Sequence, residues 1–166
     1  MTLDKIIGYV RDVVDRYGGR TVFETAENSG ANVWFRPLGG LKGFYICENG
    51  SRYIVINDGL DSILKQTVCA HELGHDILHR ELSGGGIREG TMFLDSNKTE
   101  REANLFAAEL LIPDKALLSE IGYVSSPEAA AYELGVPAEL VEYKLELLSH
   151  KGYDVNFTSV ESDFLK

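Results

Sequence analysis

The chain has 166 residues and a mass of 18.4 kDa, and its 44% apolar and 25% charged residues exclude disordered and fibrous classes. Sixteen Lys and Arg against 26 Asp and Glu give a net charge of −10, a surface that repels phosphate backbones and excludes nucleic acid as the primary ligand. No run approaches the 18 or so apolar residues of a membrane span, and two cysteines, Cys47 and Cys69, make no disulfide framework, so a cytoplasmic protein is expected.

In chain order, Leu3, Ile6, Ile7, Val10, Val13 and Val14 recur at helical spacing, and Gly18-Gly19 ends that helix. Thr21 with Glu24 reads as a capping box opening a short second helix that stops near Gly30. Three β-rich runs follow at Asn32 to Phe35, Gly43 to Glu48 and Arg52 to Ile56. Asn49-Gly50 between the last two is a hairpin signal, so a small antiparallel sheet is expected. Helical patterning runs from about Leu60 to Arg80, and a glycine-rich loop around Gly84-Gly85-Gly86 continues to about Lys98. That loop lacks the Lys-Ser/Thr and helix start of a phosphate cradle, and reads as the rim of a cleft or a long connection. Further helices are predicted at about Glu100 to Leu111, Asp114 to Ile121, Pro127 to Leu134 and Ala138 to His150, with Tyr153 to Lys166 unassigned. Helices, a small sheet, then helices make the class α+β.

Chemistry concentrates in one helix. His71-Glu72-Leu73-Gly74-His75 is an H-E-x-x-H pattern. Residues four apart on a helix lie one above the other, so His71 and His75 converge on one metal, and Glu72 is offset toward a water beside it. Leu64, Val68, His71 and His75 share one face, and two unpaired imidazoles on a buried stripe would be costly without a metal. A catalytic zinc site takes three protein ligands. His79, one turn further on, reaches the same ion poorly and reads as a packing histidine or a support for a ligand. Cys69 points away from His71 and reads as a small hydrophobe, Cys47 has no partner motif, and His150 suits a helix C-terminus. On the next helix, Glu102 and Glu109 share a face with Phe106 while Glu100 points away. Glu102 is therefore either the third ligand or, with Thr99, half of a capping box.

Two motifs resemble the ImmA/IrrE family of metallopeptidases, found on phages, integrative elements and in some stress-response systems. One is Ala70-His71-Glu72-Leu73-Gly74-His75 with His79 following. The other is Glu102-Ala103-Asn104-Leu105-Phe106-Ala107-Ala108-Glu109-Leu110-Leu111-Ile112-Pro113, and Val55-Ile56-Asn57 looks like the family's strand end. The likeness covers roughly residues 30 to 115. It implies a zincin-like α+β domain over 1–120, its sheet packed against the H-E-x-x-H helix, followed by a helical segment over 121–166 packed on it. It also implies zinc held by His71, His75 and Glu102, with Glu72 as the catalytic base. Manganese or another divalent ion suits the same donors. Family members cleave helix-turn-helix repressors and relieve repression, so such a repressor is the implied partner. The competing reading is a regulatory protein that binds and sequesters its repressor without cutting it. A third, DNA binding through residues 126–149, meets the objection that Glu128, Glu133, Glu139, Glu142 and Glu146 face Lys144 alone. That segment reads as packing or as a repressor-docking surface.

Overall fold

A computed structural model of the chain describes residues 1–80, 88–89 and 98–157. The glycine-rich loop expected around Gly84-Gly85-Gly86 and the residues from 158 onward lie outside these. The elements run α1 (Leu3–Tyr17), α2 (Val22–Asn28), β1 (Asn32–Arg36), β2 (Gly43–Glu48), β3 (Ser51–Asn57), α3 (Ser62–His79) and β4 (Arg88–Glu89). Then come α4 (Lys98–Leu111), α5 (Asp114–Ile121), α6 (Pro127–Leu134) and α7 (Ala138–His150). No described helix is long and apolar enough to cross a membrane.

Local chemistry sets most of these boundaries. The Thr21 hydroxyl accepts from the Glu24 amide at 3.1 Å and opens α2, while the Glu24 carboxylate accepts from the Arg20 amide at 2.8 Å. Asn49 and Gly50 take φ values of 50° and 80°, the left-handed pair that a tight hairpin needs, and β2 folds back on β3 with Glu48 opposite Ser51. Asp61 caps α3 by accepting from the Leu64 amide at 2.8 Å. Between α6 and α7 the chain turns through Gly135 at φ 64°.

The class is α+β, as expected, but the sheet is mixed rather than antiparallel. Its order is β1-β3-β2-β4: β3 pairs antiparallel with β2 and parallel with β1, and β2 pairs antiparallel with β4. The hairpin's second strand enters between β1 and β2, which strand composition cannot reveal. The residues of β3 do record its central place, since Ile54, Val55, Ile56 and Asn57 are buried in succession. Asn57 then ends the strand. Its side-chain amide donates to the carbonyls of Gly39 (3.0 Å) and Leu41 (2.9 Å), and its oxygen accepts from the Gly59 amide at 3.0 Å.

Helix α3 lies across β2 and β3, and α4 lies against α3. The approach to the sheet is close: a Cβ on Gly43 would stand 2.4 Å from Val68 Cγ1. The core joins Ile6, Val10 and Val13 of α1 to Tyr45, Ile54, Ile56, Leu73 and Phe106, and continues into Leu117, Leu140, Leu147 and Leu148. Helix α4 is central, with α1, α3 and α7 all packed on it.

Candidate metal centre

Helix α3 is buried on every side over its middle, from Thr67 to Asp76. Its inward stripe, expected from Leu64, Val68, His71 and His75, is one sector of a helix enclosed by sheet, α2 and α4. Helix α4 can come this near because Gly74 faces it: a Cβ there would lie 3.2 Å from Ala103 Cα and 3.3 Å from Phe106 Cβ. That contact sets two polar residues of α4, Glu100 and Asn104, opposite the histidines.

His71 and His75 turn their Nε2 atoms toward one another, 3.1 Å apart, and both rings are wholly buried. The Glu100 carboxylate closes the group, with Oε2 3.3 Å from His71 Nε2 and Oε1 3.3 Å from His75 Nε2. Among the described residues, His71, His75 and Glu100 are the group able to hold a metal ion. Their chemistry and spacing fit one, since tetrahedral zinc with bonds of about 2.0–2.1 Å sets neighbouring ligand atoms about 3.3 Å apart.

On α4 the structure departs from the helical-wheel expectation. Glu100 does not point away, and Glu102 does not meet His71 or His75. Glu102 Oε2 instead accepts from His79 Nε2 at 2.8 Å, and its other oxygen receives the amino group of Met1. Glu109 lies further off, bound to the ammonium groups of Lys144 and Lys151 at 2.6 Å each. The wheel arithmetic assumed one buried face of α4, whereas Glu100, Glu102 and every residue from Ala103 to Ala108 are buried. The available signal was Glu100 and Asn104, two polar groups four apart on the side of the helix that carries the small Ala103.

Glu72 is buried beside the pair, and its Oε2 has no hydrogen-bond partner among the described residues. Burial pushes its carboxyl up to about 7, with the Glu100 charge adding to this while His71 and the Tyr45 backbone amide pull it down. A carboxyl so poised suits proton exchange near neutrality. For Glu100 burial works upward too, but the hydrogen bonds and charges of His71 and His75 outweigh it and hold it well below the usual carboxylate range.

Two anchors fix this arrangement in place, and neither was apparent from the sequence. His71 Nδ1 meets Asn104 Oδ1 at 2.8 Å. Asp76, fully buried next to His75, accepts from the Tyr45 hydroxyl at 2.8 Å, Arg52 Nη1 at 2.5 Å and Arg80 Nε at 3.0 Å. Arg52 also reaches the Ser29 carbonyl, so one carboxylate ties α3 to β2, β3 and the end of α2.

A profile of the peptidase family described as the IrrE N-terminal-like domain matches residues 26–146. The chain is 39% identical over 136 residues to "Uncharacterized immunity region protein 2" of Bacillus phage phi105, covering 81% of this chain and 85% of that protein. It is 32% identical over 141 residues to "Metallopeptidase ImmA" of Bacillus subtilis (strain 168), covering 82% of this chain and 81% of that protein.

Proposed function

The chain belongs to the IrrE N-terminal-like peptidase family, and from that premise we propose that it is a zinc-dependent endopeptidase whose substrate is a helix-turn-helix repressor. The observation that carries the reading is the convergence of the His71 and His75 Nε2 atoms and the Glu100 carboxylate at 3.1–3.3 Å beside a buried Glu72. His71, His75 and Glu100 hold the ion, and zinc is the assignment these donors fit best, with manganese acceptable to the same set. A bound divalent ion supplies Lewis acidity, activating water and polarising the scissile carbonyl. Glu72 takes the proton of the attacking water at its open Oε2 and passes it to the leaving amine nitrogen. The relative named for a phage immunity region supports a repressor as the substrate, and cleavage would relieve repression in the cytoplasm. Residues 1–120 form the catalytic part, and 121–166 the helical segment laid on it.

The first measurement is metal per chain on protein purified without chelator or affinity-column metal, for which about one zinc is expected. The second is cleavage of a cognate repressor by wild type and by Glu72→Gln, read by mass spectrometry. Loss of the general base lowers the cleavage rate by roughly 10²–10⁴-fold while the metal stays bound. A Glu72→Gln protein that still relieves repression, with the repressor full length, would replace proteolysis with sequestration.

A further inference from the structure

A metal-binding imidazole has two ring nitrogens, and the partner of the nitrogen facing away decides which tautomer is present. Here both outward nitrogens are engaged. His71 Nδ1 lies 2.8 Å from Asn104 Oδ1, and at the amide's other end Nδ2 donates to the Tyr143 hydroxyl at 3.3 Å. The amide therefore offers His71 an acceptor, and the His71 proton belongs on Nδ1. His75 Nδ1 lies 3.3 Å from His79 Nδ1, and His79 Nε2 lies 2.8 Å from Glu102 Oε2. An ionised carboxylate accepts only, so the His79 proton belongs on Nε2. His79 Nδ1 is then the acceptor and His75 Nδ1 the donor. His71, His75, His79, Asn104 and Glu102 are all buried, so water does not compete for these bonds.

Given the metal centre proposed above, we infer that Asn104 and the His79–Glu102 pair are positioning residues that lock His71 and His75 as Nδ1-protonated tautomers, leaving both Nε2 lone pairs for one cation. This assigns His79 a place one hydrogen bond outside the ligands and Glu102 a place two outside them. It also explains why a third histidine follows at the same four-residue spacing: His79 accepts from a ligand rather than serving as one. Through Asn104 the Tyr143 hydroxyl links the centre to α7, so the C-terminal helix takes part in orienting a ligand.

The test is zinc affinity of the full chain, measured by competition with a chromophoric chelator, for wild type, Asn104→Ala, Asn104→Asp, Asn104→Leu and His79→Ala. The alanine variants are each expected to bind roughly 10–100-fold more weakly, the usual effect of removing a group that orients a metal-bound histidine. Asn104→Asp keeps an oxygen toward His71 and is expected to recover most of the Asn104→Ala loss, whereas Asn104→Leu, of similar bulk but with no acceptor, is expected to stay as weak as Asn104→Ala, which a packing role alone would not predict. Long-range ¹H–¹⁵N spectra of the zinc-loaded wild type should show both His71 and His75 protonated on Nδ1. Wild-type affinity in both alanine variants would overturn the inference, as would an Asn104→Asp protein as weak as Asn104→Ala. Wild type that takes up no zinc would overturn the metal centre itself, a result separate from these two.

Discussion

Replacing Glu100 by Gln and, separately, Glu102 by Gln divides the two carboxylates of α4 by their distance from the histidine pair. Glu100 has an oxygen 3.3 Å from each Nε2, whereas Glu102 reaches the pair only through His79. Structural zinc sites with four ligands bind with roughly 10–16 kcal/mol, or about 2.5–4 kcal/mol per ligand, which at about 1.4 kcal/mol per decade is roughly 10²–10³-fold in affinity. Gln keeps one weak oxygen donor, which places Glu100→Gln toward the lower end. A second effect opposes the loss in part. In the metal-free protein burial disfavours the protonated His71 ring, but the Glu100 hydrogen bond and the nearby charges more than reverse this, so a proton competes with the metal there. Without the Glu100 charge that competition weakens. Glu102→Gln retains an acceptor for His79 and should cost on the order of tenfold. Chelator competition at pH 7.5 on both variants reads the difference, with thermal unfolding to establish that each is folded. If Glu102→Gln loses as much affinity as Glu100→Gln or more, the ligand assignment drawn from the geometry is wrong and Glu102 turns inward when metal binds.

Gly74→Ala sets helix propensity against packing. Alanine gains about 1 kcal/mol in a helix interior, yet its Cβ would press on Ala103 Cα at 3.2 Å and Ala103 O at 3.3 Å, backbone atoms of a helix enclosed on three sides. Overpacking of this kind costs about 1–3 kcal/mol, so the variant should be no more stable than wild type and should bind zinc less tightly, because Glu100 and Asn104 move with α4. A higher melting temperature with unchanged affinity would refute this. Lys144, 1% exposed, pairs with Glu109 and Asp114 at 2.6 Å each. Its truncation to Ala leaves the part-exposed Glu109 and Asp114 to Lys151 alone and should lower stability by about 1.5–3 kcal/mol in urea denaturation, whereas an unchanged stability would show that Lys151 alone neutralises the cluster. The same cluster predicts a pH dependence. Burial raises the Asp114 carboxyl, but Lys144 and Lys151 lower it further, to below its ordinary 3.8. Its contribution is therefore present above that value and lost as pH falls through the folded one. For Lys151 burial lowers the ammonium but Asp114 and Glu109 raise it above 10.5, so its contribution holds below that value and fades as pH rises past the folded one. The gap in urea midpoint between wild type and Asp114→Asn should accordingly narrow from pH 5 to pH 3, and a constant gap would mean the ion pairs contribute nothing.

How far the sequence could be read depended on whether the deciding interaction was local. The Thr21–Glu24 cap, the Asn49-Gly50 hairpin and the His71–His75 spacing are each settled within a few residues by backbone geometry, and the structure shows all three. The sheet order was not legible because inserting β3 between β1 and β2 leaves no mark on any single strand except the unbroken burial of Ile54 to Asn57. The place of Glu100 beside the histidines was not legible for a related reason. Helical-wheel reasoning selects a face by its apolar content, and the face carrying Glu102, Phe106 and Glu109 looked like the inward one. A central helix has several inward faces, however, and apolar content does not say which neighbour each one meets. What chooses between them is volume. Gly74 on α3 and Ala103 on α4 have little or no side chain, so the two backbones approach there, and the polar residues on either side of Ala103, Glu100 and Asn104, reach the histidines. In an enclosed helix pair of this kind, polar residues four apart beside a run of small ones locate a buried site better than the most apolar stripe does.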